Sequence, residues 1–94
     1  MKIAINSRFG GFWLSSLAEE KIAERKGYTV RGFDNLFRGE RTDPDLIAVI
    51  EELGEKASHR VANIRVIEIP DGIEYKIIEY DGWETVLEEG HYWE

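Results

Sequence analysis

The sequence predicts an α+β fold, with two helices packed on a mostly antiparallel sheet in the order β-α-β-α-β-β-β. Two stretches in the first part of this 94-residue chain repeat apolar residues at helical spacing between capping residues. From Val61 onward the repeat changes to strand-like alternation, and two Asp-Gly dipeptides cut it into strand-length pieces. The length suits a single domain, residues 1–94. A hydrophobic content of 43 % with three Trp, four Tyr and four Phe is ample for one core.

The first strand is expected over residues 2–6, KIAIN. Its apolar run, residues 3–5, is far shorter than a signal-peptide core or a membrane span, so a soluble intracellular chain with no membrane partner is expected. The junction that follows, Arg8-Phe9-Gly10-Gly11-Phe12-Trp13, leads into the first helix, which starts at Ser16. Ser16 and Glu19 have capping-box spacing, with Ser15 as the other candidate cap, and Gly27 ends the helix. Lys21, Arg25 and Lys26 lie toward its C-terminal end, where the macrodipole favours positive charge.

Residues 28–33 are expected to form a short strand that leads into a loop, and the segment between the helices as a whole places Arg31, Arg38 and Arg41 near Phe33 and Phe37. The second helix opens with Asp43 as N-cap and Pro44 at its first position, and Leu46, Ile50, Leu53 and Ala57 form its buried stripe. Gly54 beside that stripe is expected to mark the close approach of a neighbouring backbone. Residues 64–69, 73–80 and 83–89 then read as a three-stranded meander, with turns at Pro70-Asp71-Gly72 and Asp81-Gly82. In the middle strand the apolar side switches at Ile78 and Tyr80, which a bulge or burial on both faces would explain. The aromatic tail, His91-Tyr92-Trp93, is expected to dock on its own sheet or on another subunit.

Charge and composition narrow the function. Residues 1–42 carry eight Lys/Arg against five Asp/Glu, a balance of +3, whereas residues 67–94 carry one against nine, a balance of −8. A duplex-binding protein needs a dense basic face, so no duplex nucleic acid is expected as partner. The absence of cysteine excludes thiolate metal sites and thiol nucleophiles. His59 and His91 stand alone in their segments, so no metal site, no catalytic residue and no cofactor is expected, and the chain reads as a non-enzyme.

The junction is the main candidate for a ligand site. Arg8, Gly10, Gly11 and Ser15 could meet a phosphate at a strand-to-helix loop, while Phe9, Phe12 or Trp13 stacks on a base or ribose. It matches neither a Walker loop nor GxGxxG. Its plain alternative is a tight turn whose aromatics close the core. Likewise, the arginine loop could cover an anion as a lid or simply be solvated.

Several separated motifs together resemble one family. They are Asn6 followed by Gly10-Gly11-Phe12-x-Leu14-Ser15; Arg41-x-Asp43-Pro44-x-Leu46 with Glu51-Glu52-Leu53-Gly54; Glu68-Ile69-Pro70-Asp71; and Glu79-Tyr80-Asp81-Gly82-x-Glu84. In their order and spacing they resemble small phage-encoded proteins that include the first Thoeris anti-defence proteins, sponges for cyclic ADP-ribose isomers. The resemblance implies a viral protein in the cytoplasm of the infected bacterial host, a homodimer or higher homo-oligomer that holds a cyclic nucleotide signal molecule between subunits without cleaving it. It also implies roles for the Gly10-Gly11-Phe12 loop, for the Asp43-Pro44 helix start, for Arg41 as phosphate partner and for His91 in the tail. The chain departs from the family pattern in a short inter-helix segment and in lacking an arginine beside His91. The alternative is a phage structural or protein-interaction module with no nucleotide ligand.

Overall fold

The computed structural model describes residues 1–28, 37, 39–88 and 90–93, and the chain folds as α+β. Strand β1 (Lys2–Asn6) is buried on both faces, and the reason is visible in its alternation. Ala4 joins the helix-side core with Ala18, Ile22, Leu46, Val49 and Ile50. Ile3 and Ile5 point the other way, into a second core with Ile67, Ile69 and Val86. The strand is therefore the middle layer of the molecule, with side chains at successive residues serving opposite cores.

Helix α1 (Ser16–Lys26) starts where expected, but its cap is Ser15, whose Oγ accepts from the Ala18 N–H at 3.1 Å. This puts Glu19 one position beyond a capping box. Glu19 is buried and accepts instead from the Phe37 N–H at 3.4 Å. Gly27 closes the helix in the left-handed region, φ 84°. Helix α2 (Pro44–Leu53) has the expected Asp43 cap and Pro44 start, and runs into a 3-10 turn, Gly54–Ala57. The close approach expected at Gly54 is not there: a Cβ would meet nothing within 4 Å. Gly54 is needed instead for its φ of 58° and ψ of −128°, at the change from α to 3-10 geometry.

The C-terminal strands differ from the expected meander. Strand β2 (Ile64–Glu68) pairs antiparallel with β1, Ile3 opposite Ile67, and takes no part in the meander. The meander is β3 (Lys76–Tyr80), β4 (Trp83–Glu88) and β5 (His91–Trp93), so the tail docks on its own sheet. The physical cause lies in β1, whose buried Ile3 and Ile5 need an apolar strand beside them; the turn at residues 71–72 then sends the chain across to the second sheet. The strand continues from Lys76 rather than Ile73, and β3 pairs with β4 residue for residue, with no bulge. The apolar switch at Ile78 and Tyr80 has another origin: both side chains are on the outer face and exposed. The expected strand over residues 28–33, and the loop arginines Arg31 and Arg38, lie outside the described residues.

Candidate functional site

The junction after β1 is organised by one amide. Asn6 is fully buried, and its Nδ2 donates to the carbonyls of Arg8 at 2.6 Å and Gly82 at 2.7 Å while its Oδ1 accepts from the Asn63 N–H at 2.8 Å. Every polar atom of that side chain is paired, so the loop, the β3–β4 turn and the chain entering β2 are tied at one point. Gly10 N–H donates to Asp81 C=O at 2.9 Å. A Cβ on Gly82 would lie 2.1 Å from Gly11 N, so two backbones meet here with no room for a side chain. The glycines of the junction thus form the seat of the β3–β4 hairpin turn.

Arg41 closes the same region from the other side. Its guanidinium donates Nη1 to Glu84 Oε1 at 2.6 Å and Nη2 to Glu84 Oε2 at 2.9 Å, and it stacks 3.7 Å above the Phe12 ring. Glu84 is buried, and its Oε1 also accepts from Asn6 N–H at 2.8 Å. Arg41 C=O accepts from Ala4 N–H at 2.9 Å. Among the described residues no other strand pairs with this edge of β1, and its N–H groups at Ala4 and Asn6 are satisfied by a carbonyl and a carboxylate. The Arg41 fork is committed to Glu84, so meeting a phosphate would require it to leave a buried carboxylate.

The three aromatics of the junction go to three places. Phe12 lies under Arg41 and packs on the helix-side core. Trp13 leans on His59, ring centroids 6.1 Å apart. Phe9 crosses to the meander, where its ring lies 5.3 Å from Trp83 and 6.3 Å from Tyr80, tilted by 59° and 72°. This last cluster faces solvent: Phe9 is 57 % exposed, Tyr80 71 % and Trp83 38 %. Arg8, the neighbour of Phe9 in the chain, is exposed and donates through Nη1 to Arg60 C=O at 2.9 Å. Among the described residues neither arginine makes an ion pair. Chemically this is an exposed set of π faces with a cationic residue, Arg8, next to Phe9 in sequence, a composition suited to a planar anionic ligand.

Other expected site residues are occupied elsewhere. Ser15 donates through Oγ to Lys56 C=O at 2.6 Å and through N–H to Ala57 C=O at 2.8 Å, so its N–H does not face an anion. Asp43 accepts from the N–H groups of Asp45 and Leu46 at 2.9 and 3.1 Å and pairs with Lys26 at 2.7 Å. These bonds to Lys26 and to the helix N–H groups outweigh burial and hold its carboxyl below the usual carboxylate range. His91 contacts the Trp93 ring at 4.0 Å and lies opposite Glu88, the far end of β4 from Trp83, about 17 Å away. The structure therefore joins Phe9 to Tyr80 and Trp83, which sequence reasoning did not place in the site, and separates it from His91. The missed signal was two aromatics flanking Asp81-Gly82, since a two-residue turn sets its flanking residues opposite one another on one face.

Among the described residues no group of acids and imidazoles could hold a metal ion, and no helix is long and apolar enough to cross a membrane. Comparison with known protein families, with curated proteins and with solved structures finds no match to this chain.

Proposed function

We propose that this chain binds a nucleotide signal of the cyclic ADP-ribose type and sequesters it without cleavage, as a phage-encoded anti-defence protein acting in the infected host. The observation that carries the reading is the exposed Phe9–Tyr80–Trp83 cluster, with the exposed Arg8 next to Phe9 in the chain. Base stacking on such rings contributes about 1 to 3 kcal/mol per base, and a guanidinium adds a charge-assisted bond to phosphate. The motif resemblance across the chain supplies the ligand class and a homodimeric or larger assembly.

The test is a thermal-shift screen with cyclic ADP-ribose isomers and cyclic dinucleotides, followed by mass spectrometry of the ligand released on heating. Intact ligand supports sequestration, and a cleaved product would make the chain an enzyme. Light scattering at tens of micromolar checks the assembly, and a monomer would remove that part.

A second reading, a protein-interaction module with no nucleotide ligand, is favoured by one observation. The apolar outer face extends beyond the aromatic cluster to Ile78. Absence of any nucleotide shift would leave this reading standing.

A further inference from the structure

Phe9 and Trp83 come together from segments more than seventy residues apart, and the backbone of each is pinned on both sides. The carbonyl before Phe9, that of Arg8, and the carbonyl before Trp83, that of Gly82, both accept from Asn6 Nδ2, at 2.6 and 2.7 Å. After Phe9, the Gly10 N–H donates to Asp81 C=O at 2.9 Å, in the turn that leads to Trp83. After Trp83, Glu84 Oε1 accepts from the Asn6 N–H at 2.8 Å. Three of these four bonds belong to Asn6, which is fully buried.

The loop needs such a tie. Gly10 and Gly11, with φ of 121° and 105°, give the chain after Phe9 little preference of its own. Phe9 is more than half exposed, so burial does not hold its ring in place either. Its position 5.3 Å from Trp83 follows from where the backbone is pinned.

That position decides how a base can stack. A base held between two rings needs them about 7 Å apart, two contacts of about 3.5 Å each. Phe9 and Trp83 are closer than this and tilted by 59°, so a base would stack on their outer side, on a surface that exists only while both rings stay in place.

We propose that Asn6 is the positioning residue of this aromatic face. Its Nδ2 holds the Arg8 and Gly82 carbonyls together, and so sets Phe9 against Trp83 before any ligand arrives. The effect on affinity rests on the chain binding a nucleotide; the effect on ring geometry does not.

The experiment uses the full chain, NMR contacts between the Phe9 ring and the Trp83 indole, and titration with cyclic ADP-ribose. Asn6→Asp keeps the size of the side chain and an oxygen for the Asn63 N–H, but at neutral pH has no donor for the two carbonyls. Val49→Ala, in the helix-side core, lowers stability away from the cluster and serves as the control. Asn6→Asp is expected to lose the Phe9–Trp83 contact and to bind cyclic ADP-ribose about tenfold more weakly, whereas Val49→Ala keeps both. In the wild-type chain the Asn6 Nδ2 protons are expected to exchange about tenfold or more slower than those of the exposed Asn63 side chain. Equal exchange would overturn the proposal even if Asn6→Asp failed to fold. So would a folded Asn6→Asp that retains the ring contact, or equal losses in both variants. If the wild-type chain binds no nucleotide while Asn6→Asp still loses the ring contact, the nucleotide reading falls and the placement of the rings by Asn6 stands.

Discussion

Arg41 and Glu84 form a two-bonded ion pair that joins the loop before α2 to the middle of the molecule, at 2.6 and 2.9 Å. The carboxylate is buried and shared with Asn6 N–H, and the guanidinium covers Phe12. Among the described residues no second strand pairs with β1, and at that edge the pair adds to the contact between the two sheets made by Ile3, Ile5 and Val86.

Removing one member strands the other. Glu84→Ala leaves a half-buried guanidinium and an unpaired buried N–H, and is expected to cost about 3 kcal/mol. Arg41→Lys cannot fork both oxygens and is expected to recover only part of the loss seen in Arg41→Ala. Urea denaturation of the single and double variants checks this. A coupling energy near zero between positions 41 and 84 would show that the pair does not act as a unit.

Gly82 separates a steric need from a conformational one. Alanine there places a Cβ 2.1 Å from Gly11 N with φ at 92°, and neither backbone can give way without moving the turn. Gly82→Ala is expected to cost more than about 2 kcal/mol. Gly27→Ala also forces a positive φ, 84°, but meets nothing within 4 Å, and is expected to cost about 1 kcal/mol. Thermal unfolding of both variants tests the difference, and equal melting temperatures would mean the close approach is not real.

Phe9→Ala distinguishes a ligand surface from a structural one. Because Phe9 is 57 % exposed, its loss is expected to leave the melting temperature nearly unchanged. Affinity for a stacked nucleotide should fall by about 1 to 3 kcal/mol, roughly fivefold to over a hundredfold. Arg8→Ala should weaken the same ligand through the lost charge. Isothermal titration of the folded variants measures both. Unchanged affinity in each would return Arg8-Phe9-Gly10-Gly11-Phe12 to a purely architectural role as the seat of the hairpin turn.

The contact between α1 and α2 makes stability depend on pH in a stated direction. Lys26 Nζ lies 2.7 Å from Asp43 Oδ2 and 3.0 Å from Asp45 Oδ2, and Arg25 Nε lies 3.0 Å from Asp45 Oδ1. The bonds from Lys26 and then Arg25 hold the Asp45 carboxyl below its ordinary value; Asp43 is held below its own despite burial. Stability from these carboxylates is complete above their unfolded value, about 3.9, and is lost as the pH falls through the lower folded values. At the basic end the Lys26 ammonium, raised by its bonds to Asp43 and Asp45, contributes below its unfolded value and is lost above the folded one. Lys26→Met is expected to flatten the acid limb of the stability profile between about pH 4 and about pH 2. Urea midpoints across that range check it, and an unchanged acid limb would exclude the network as its cause.

Both helices could be read from the sequence because their signals are local. Asp43-Pro44 and Gly27 act within a turn of the chain, and the apolar stripes need only helical periodicity. The tight turn at Asp81-Gly82 was legible for the same reason, since φ at those two residues depends on their own side chains. Residues 64–68 could not be assigned a partner in this way. Alternation marks them as a strand, but pairing with residues 2–6 rather than 76–80 depends on which neighbour best covers Ile3 and Ile5. The Gly10-Gly11 pair suggested a ligand loop from its type alone, whereas its contact is Gly82, more than seventy residues away. Composition and periodicity determined both helices, the strands within residues 2–6, 64–68, 76–80 and 83–88 and the Asp81-Gly82 turn, because caps, turns and amphipathic faces are set by near neighbours. Only the tertiary structure decided the two separate sheets, the commitment of Arg41 to Glu84 and the meeting of Phe9 with Tyr80 and Trp83. Those depend on long-range packing, in which residues of one type have many possible partners and burial selects among them.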